Sequence, residues 1–220
     1  MLRKEKTISR IVKMEERIHN CSRCSEVRVC CHRPSTGKGD LDPDIMIIFS
    51  NECDQSWTKS KYSGIRQQIA RMAGGESGVY HTFMVRCQPK ICTLRRNKEV
   101  LFDGVLINAD NRCLLTRRQC DGLMGQPDDQ QTMNCLHFML EEIEIFAPKV
   151  IITVGEQTYQ YVFRAFGLLD PFQREFNEVK NKLFRSSEYL FMTADFNHSD
   201  LEQSVADLEP LFQIIAGSLD

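Results

Sequence analysis

The chain has 220 residues, 42% hydrophobic and 26% charged, values of an ordinary soluble globule and large enough for one α/β domain with a full core. Its longest apolar runs, such as Ile45–Phe49 and Val150–Val154, are too short to cross a bilayer, and the charged start MLRKEKTISRIVKMEER has no apolar signal core, so membrane and secretory readings are excluded and a cytoplasmic monomer is expected. A formal net charge of −2 excludes a uniformly basic nucleic-acid binder, yet residues 1–40 carry ten Lys/Arg against five Asp/Glu while residues 141–220 carry six against fourteen; this asymmetry suits a nucleic-acid-facing side backed by an acidic face, and equally a plain solvated surface.

In chain order, Ile8, Ile11, Val12, Met14 and Ile18 give an approximate apolar face to a helix over residues 4–20. A loop follows from Asn20 to Pro43, with CSRC, CC and the breakers Pro34, Gly37 and Gly39. Ile45–Phe49 reads as a buried strand. Residues 65–73 read as a helix stopped at Gly74-Gly75, and Val79–Arg86 as a second strand. Residues 91–131 lack periodicity and balance six positive against six negative charges, as expected of an inserted loop region. Met133–Phe146 is an amphipathic helix ending at Pro148, Val150–Val154 a third strand, and Gly155 turns it into a helix over about 156–166. Tyr189–Thr193 is a fourth strand. Ser199 with Glu202 forms a capping box opening the last helix, which Pro210 should kink or break. Strands alternating with helices predict a single three-layer α/β/α domain over residues 1–220, with a central, mostly parallel four-stranded sheet. Ligands of such sheets bind beyond the carboxyl ends of the strands, where Ser50–Gln55, Arg86–Pro89 and Ala194–Ser199 fall.

Ten cysteines, at 21, 24, 30, 31, 53, 87, 92, 113, 120 and 135, make metal ligation a better reading than disulfides in a cytoplasmic chain. Four pieces then resemble one family in order. CLHFMLEEIEIFAPKVIITVGEQ (135–157) resembles the helix–proline–strand–glycine unit of the iron–sulfur (family four) uracil-DNA glycosylases, where a cysteine opens the helix. VRCQPK (85–90) resembles their strand ending in Cys-Arg-Pro, CSRC (21–24) their N-terminal CxxC, and FNHS (196–199) their His-Pro-Ser catalytic loop. There are departures. SNECD (50–54) stands where the family has Gly-Glu-Ala-Pro-Gly, no proline follows the histidine, and the Cys87–Cys135 spacer is longer. The strand asparagine that reads uracil is replaced by Phe83 or Met84 in HTFMVR (81–86).

The resemblance implies a structural [4Fe–4S] cluster on Cys21, Cys24, Cys87 and Cys135, four thiolates being what a cubane needs; tetrahedral zinc is the other metal reading, and the spare cysteines allow a ligand to be exchanged. It also implies a DNA-acting site. Glycosidic cleavage passes through an oxocarbenium-like sugar with charge building on the departing base, so the site must place water and supply a donor to that base. Asn51 falls where the family's water-activating acid sits, with Glu52 and Asp54 as nearby carboxylates; His198 would serve the leaving base, and Asp195 would orient it or act itself. Tyr62 falls near the family's base-stacking aromatic, with Phe83 beside it and Trp57 nearby, and either aromatic can equally be packing. Lys59, Lys61, Arg66 and the insertion's Arg95, Arg96, Lys98, Arg112, Arg117 and Arg118 suit phosphate contacts. Two functions follow: a monofunctional glycosylase for a modified or other non-uracil base, such as those of some viral genomes, or a non-catalytic DNA-binding relative acting as a replication or interaction module. A solvent-filled cavity shared by the residue 51–54 region and His198 favours the first, a plugged one the second. The site holds no lysine for a Schiff base, so strand cleavage is not expected.

Overall fold

The computed structural model describes residues 2–24, 34–52, 59–75, 78–88, 90–91, 106–108, 110, 112–120, 123–169, 175–196 and 200–219. His198, Trp57, Asp54 and the insertion's Arg95, Arg96 and Lys98 therefore lie outside the described residues, as do Cys30, Cys31, Cys53 and Cys92.

The first helix, α1 (Leu2–His19), buries Ile11, Met14 and Ile18, a spacing of three and four residues that keeps them on one stripe. Ile8 and Val12, read as part of that face, are 43% and 48% exposed. A two-residue strand, β1 (Lys38–Gly39), precedes β2 (Ile45–Asn51), α2 (Lys59–Met72) and β3 (Val79–Val85). A small antiparallel pair, β4 (Lys90–Ile91) and β5 (Leu123–Met124), brackets the insertion. Helix α3 (Asp129–Phe146) leads to β6 (Val150–Val154) and α4 (Glu156–Ala165). A single turn, α5 (Phe176–Val179), an edge strand β7 (Leu183–Arg185), β8 (Leu190–Ala194), α6 (Leu201–Ala206) and α7 (Glu209–Leu219) complete the chain.

The sheet has six strands in the order β1-β3-β2-β6-β8-β7. The inner four, β3, β2, β6 and β8, are mutually parallel and are the four expected; β1 and β7 are short antiparallel edges. Alternation divides the strands between two cores. Ile45, Ile47, Phe49, Val79, Phe83, Ile152 and Met192 pack with α2, α6 and α7, while Met46, Ile48, Tyr80, Met84, Ile151 and Phe191 pack with α1, α3 and α4.

Several boundaries differ from expectation for local reasons. Helix α3 begins at Asp129, four residues before the expected Met133, because Asp128 caps it: its carboxylate accepts from the Gln131 N–H at 2.7 Å, and Gln131 reaches back to the Asp128 N–H. The insertion thus ends at Asp128, three residues earlier than 131. At the far end Asp200 accepts from the Gln203 N–H and opens α6, while Pro210 sits in the first turn of a separate helix, as a residue without an N–H does best. The expected single last helix is therefore two. Gly37, beside β1, lies so close to Tyr80 that a Cβ there would fall 2.3 Å from its hydroxyl, so only glycine lets this segment cross the sheet edge. No helix among the described residues is long and apolar enough to cross a membrane.

Candidate functional site

Two concavities flank β3, one beside its middle and the carboxyl end of β2, the other at its own carboxyl end. The larger is an open cleft of about 490 Å³, walled by Ser35 and Thr36 before β1, Lys38 in β1, Glu52 after β2, Tyr62 and Arg66 from α2, and His81 and Phe83 from β3. Strand alternation explains the last pair: residues 81 and 83 share the α2 face, while Met84 points into the opposite core. Of the two candidates for the missing asparagine position, Phe83 is thus the one on the cleft.

The cleft wall is aromatic and cationic. Tyr62 and His81 stack with centroids 5.1 Å apart and planes 15° from parallel, and Phe83 meets both edge-on. Tyr62 is 4% exposed, and one face of its ring is already covered by the imidazole. An Arg66 N–H points at His81 Nδ1 from 2.5 Å. A guanidinium only donates, so Nδ1 is the acceptor and the ring proton belongs on Nε2. Burial, reinforced by the charges of Arg66 and Lys38, lowers the His81 pKa to about 3, which keeps the ring neutral.

The acidic side of the cleft differs from expectation. Asn51 ends β2 and is 5% exposed; its amide nitrogen has no hydrogen-bond partner among the described residues, and it is not part of the cleft lining. Glu52, one residue on, lines the cleft and accepts a hydrogen bond from the Ser35 hydroxyl. Ser35 also donates its N–H to the Arg86 carbonyl at 2.6 Å. Asp195 follows β8 and is exposed; it pairs with Lys180 at 3.1 Å and does not line the cleft. His198 lies outside the described residues, so its relation to the cleft is not part of this geometry.

The second concavity is lined by Cys21, Cys24, Cys87 and Cys135, together with Ile18, Val85, Arg86, Gln131, Asn134 and Phe138. Four residues spread over more than a hundred positions reach it from three elements. Cys21 and Cys24 follow α1, Cys87 follows β3, and Cys135 sits in the second turn of α3. The sulfurs have polar company. Cys135 Sγ accepts the Arg86 N–H at 3.2 Å, and Cys24 Sγ accepts the Asn134 amide at 3.8 Å. Burial raises the Cys135 and Cys24 pKa values, and these hydrogen bonds oppose it. Among the described residues no three His, Cys, Asp or Glu side chains stand at the mutual spacing of a closed metal site. The four thiols thus share a cavity without being drawn onto a common centre; as a donor set they suit a thiolate-bound cluster or zinc. Cys113 and Cys120 are buried elsewhere, in the insertion.

Sequence reasoning missed three features. Arg86 and Glu142 form an ion pair 2.5 Å long with each side chain 1% exposed, and Tyr80 and Thr82 also donate to Glu142. Ser35 went unnoticed because a lone serine in a loop carries no pattern. His81 was passed over because it reads as one more residue of a buried strand.

The family model for the uracil DNA glycosylase superfamily matches residues 37–208, which include the cleft strands, Cys87 and Cys135 but not Cys21 or Cys24. A comparison with curated proteins finds no match.

Proposed function

The chain belongs to the uracil DNA glycosylase superfamily, and from that premise we propose that it is a monofunctional DNA glycosylase acting on a flipped-out base other than uracil, with a modified base as the substrate class. The observation that carries this reading is the open cleft beside β3 and the carboxyl end of β2, large enough for a nucleotide and bordered by a carboxylate, a neutral imidazole and aromatic rings. Glu52 is the group positioned to hold water for attack on the sugar, with the Ser35 hydroxyl fixing its carboxylate. His198 is assigned the donor role toward the departing base on its motif alone. Phe83 on the cleft wall cannot offer the paired donor and acceptor that uracil's edge requires, so burying uracil there leaves its imide unsatisfied.

The four cysteines are proposed to hold a [4Fe–4S] cluster, with zinc as the alternative metal; when bound, it would tie the end of α1, the end of β3 and the start of α3 into one unit. Support comes from their meeting at one cavity and from the hydrogen bonds already directed at two of the sulfurs. A non-catalytic DNA-binding role is the second reading. It is favoured by the covered face of Tyr62, which leaves that ring less free to stack on a base.

Incubation with duplex and single-stranded DNAs carrying uracil and a panel of modified bases, scored for abasic sites, tests the proposal. The expected result is excision of at least one modified base faster than uracil, and a loss of about a hundredfold or more in rate for Glu52→Gln with DNA binding retained. Uracil excised as fast as every modified base overturns the specificity. No abasic sites from any DNA leaves the binding role.

A further inference from the structure

Arg86 is 1% exposed, and its one ion-pair partner is Glu142. Only Nη2 is used in that pair; Nε and Nη1 are buried without a hydrogen-bond partner among the described residues. Glu142, by contrast, accepts on both oxygens, from Tyr80 at Oε1 and from Thr82 and Arg86 at Oε2. A guanidinium carries five N–H donors, and the three on Nε and Nη1 face no acceptor among the described residues. Leaving donors of a charged group unsatisfied in the interior is expensive, and folded proteins rarely do it without a reason. Arg86 also lines the cavity of the four cysteines, and its own N–H already reaches Cys135 Sγ. The protein therefore surrounds one cavity with four sulfur donors and one cation whose spare hydrogen-bonding capacity has no other outlet among the described residues.

We infer that Arg86 is the counter-cation of the group held by the four cysteines, donating from Nε and Nη1 to its sulfur acceptors; this rests on the cluster reading above. Four thiolates bring negative charge into an interior that contains no other buried cation among the described residues. Glu142 neutralises Arg86 only in part once that charge arrives, and it holds the guanidinium in place. Hydrogen bonds to sulfur and nearby charge are levers that set the potential of an iron–sulfur centre. Arg86 is thus a positioning and charge-compensating residue, not a catalytic one.

The test compares anaerobically purified wild type, Arg86→Lys and the double variant Arg86→Met/Glu142→Gln. Removing Arg86 alone would strand a buried carboxylate, whereas the double variant removes both charges and leaves Tyr80 and Thr82 with a side-chain amide to bond. Iron content, thermal melting, the rate of iron loss to a ferrous chelator and the reduction potential are read. The double variant should melt near wild type, lose iron about tenfold faster, and shift the one-electron equilibrium toward the oxidised form about tenfold, a fall of about 59 mV. Arg86→Lys, which keeps the charge but not the fork of donors, should fall between. Folded variants with unchanged iron loss and potential overturn the role of Arg86 while leaving the cluster standing. If the double variant does not fold, Arg86→Lys decides by the same readings. Wild type without iron overturns the cluster and this inference together.

Discussion

At the scale of single residues, His81 makes the sharpest claim. Its imidazole is held neutral by burial and by the facing charges of Arg66 and Lys38, with its pKa lowered from 6.5 to about 3. Below pH 6.5 the unfolded chain takes up a proton here that the folded chain refuses. Stability from this group is therefore complete above 6.5 and is lost as pH falls, at about 1.4 kcal/mol per pH unit until the folded pKa is reached. Urea unfolding at pH 7 and pH 5 should show wild type losing about 2 kcal/mol more than His81→Phe, whose ring can keep the stack on Tyr62. Equal losses in the two proteins would mean that His81 does not carry this titration. The same residue shows why the cleft was only half legible in the sequence. Period-two alternation could have placed residues 81 and 83 on one face, but which face met the cleft depended on the α2 side of the sheet. Asn51 and Glu52 illustrate the converse: the sequence put Asn51 at the family's acid position with Glu52 beside it, and of the two only Glu52 lines the cleft.

At the scale of elements, the parallel strands were legible because burial on both faces demands the continuous apolar runs that mark them. The edge strands β1 and β7, two and three residues long, carry no such run and were missed. Helix α3 matters most, since it carries both Cys135 and Glu142. Its capping box at Asp128 and Gln131 was hidden within the supposed insertion, where polar residues read as loop. Asp128→Ala should cost about 1 kcal/mol in chemical denaturation by leaving first-turn N–H groups unsatisfied. A change below about 0.3 kcal/mol would show that packing of the helix, not its cap, holds that end. The four cysteines were legible as a set because each lay in a recognisable local context. The Arg86–Glu142 pair was not, since a buried ion pair joins two residues 56 positions apart and leaves no periodic trace.

At the scale of the whole molecule, the cysteine cavity joins the N-terminal segment to the sheet and to α3. A group bound by all four thiols would close a loop of more than a hundred residues, so its binding energy becomes folding energy. Cys87→Ser should therefore lower the melting temperature of iron-loaded protein, and chelation of wild type should lower it in the same way. A melting temperature unmoved by either treatment would show that the two cores fold without help from the cavity. The surface ion pairs Arg10–Glu144 and Arg17–Glu141 also dock α1 on α3, but exposed pairs of this kind contribute little. The apolar stripe of Ile11, Met14 and Ile18 supplies most of that contact.

Ser35 and Gly37 connect these scales. Ser35 is tied by its N–H to the Arg86 carbonyl and by its hydroxyl to Glu52, and Gly37 lies flat against Tyr80, whose own hydroxyl is held by Glu142. The short segment between them is one wall of the cleft, and it is fastened at two points to the same interior carboxylate network. A wall anchored in this way has no slack with which to mould itself around an ill-fitting guest. Under the proposed function, the choice among bases would be made when the chain folds, and an arriving nucleotide would meet a gauge rather than a glove.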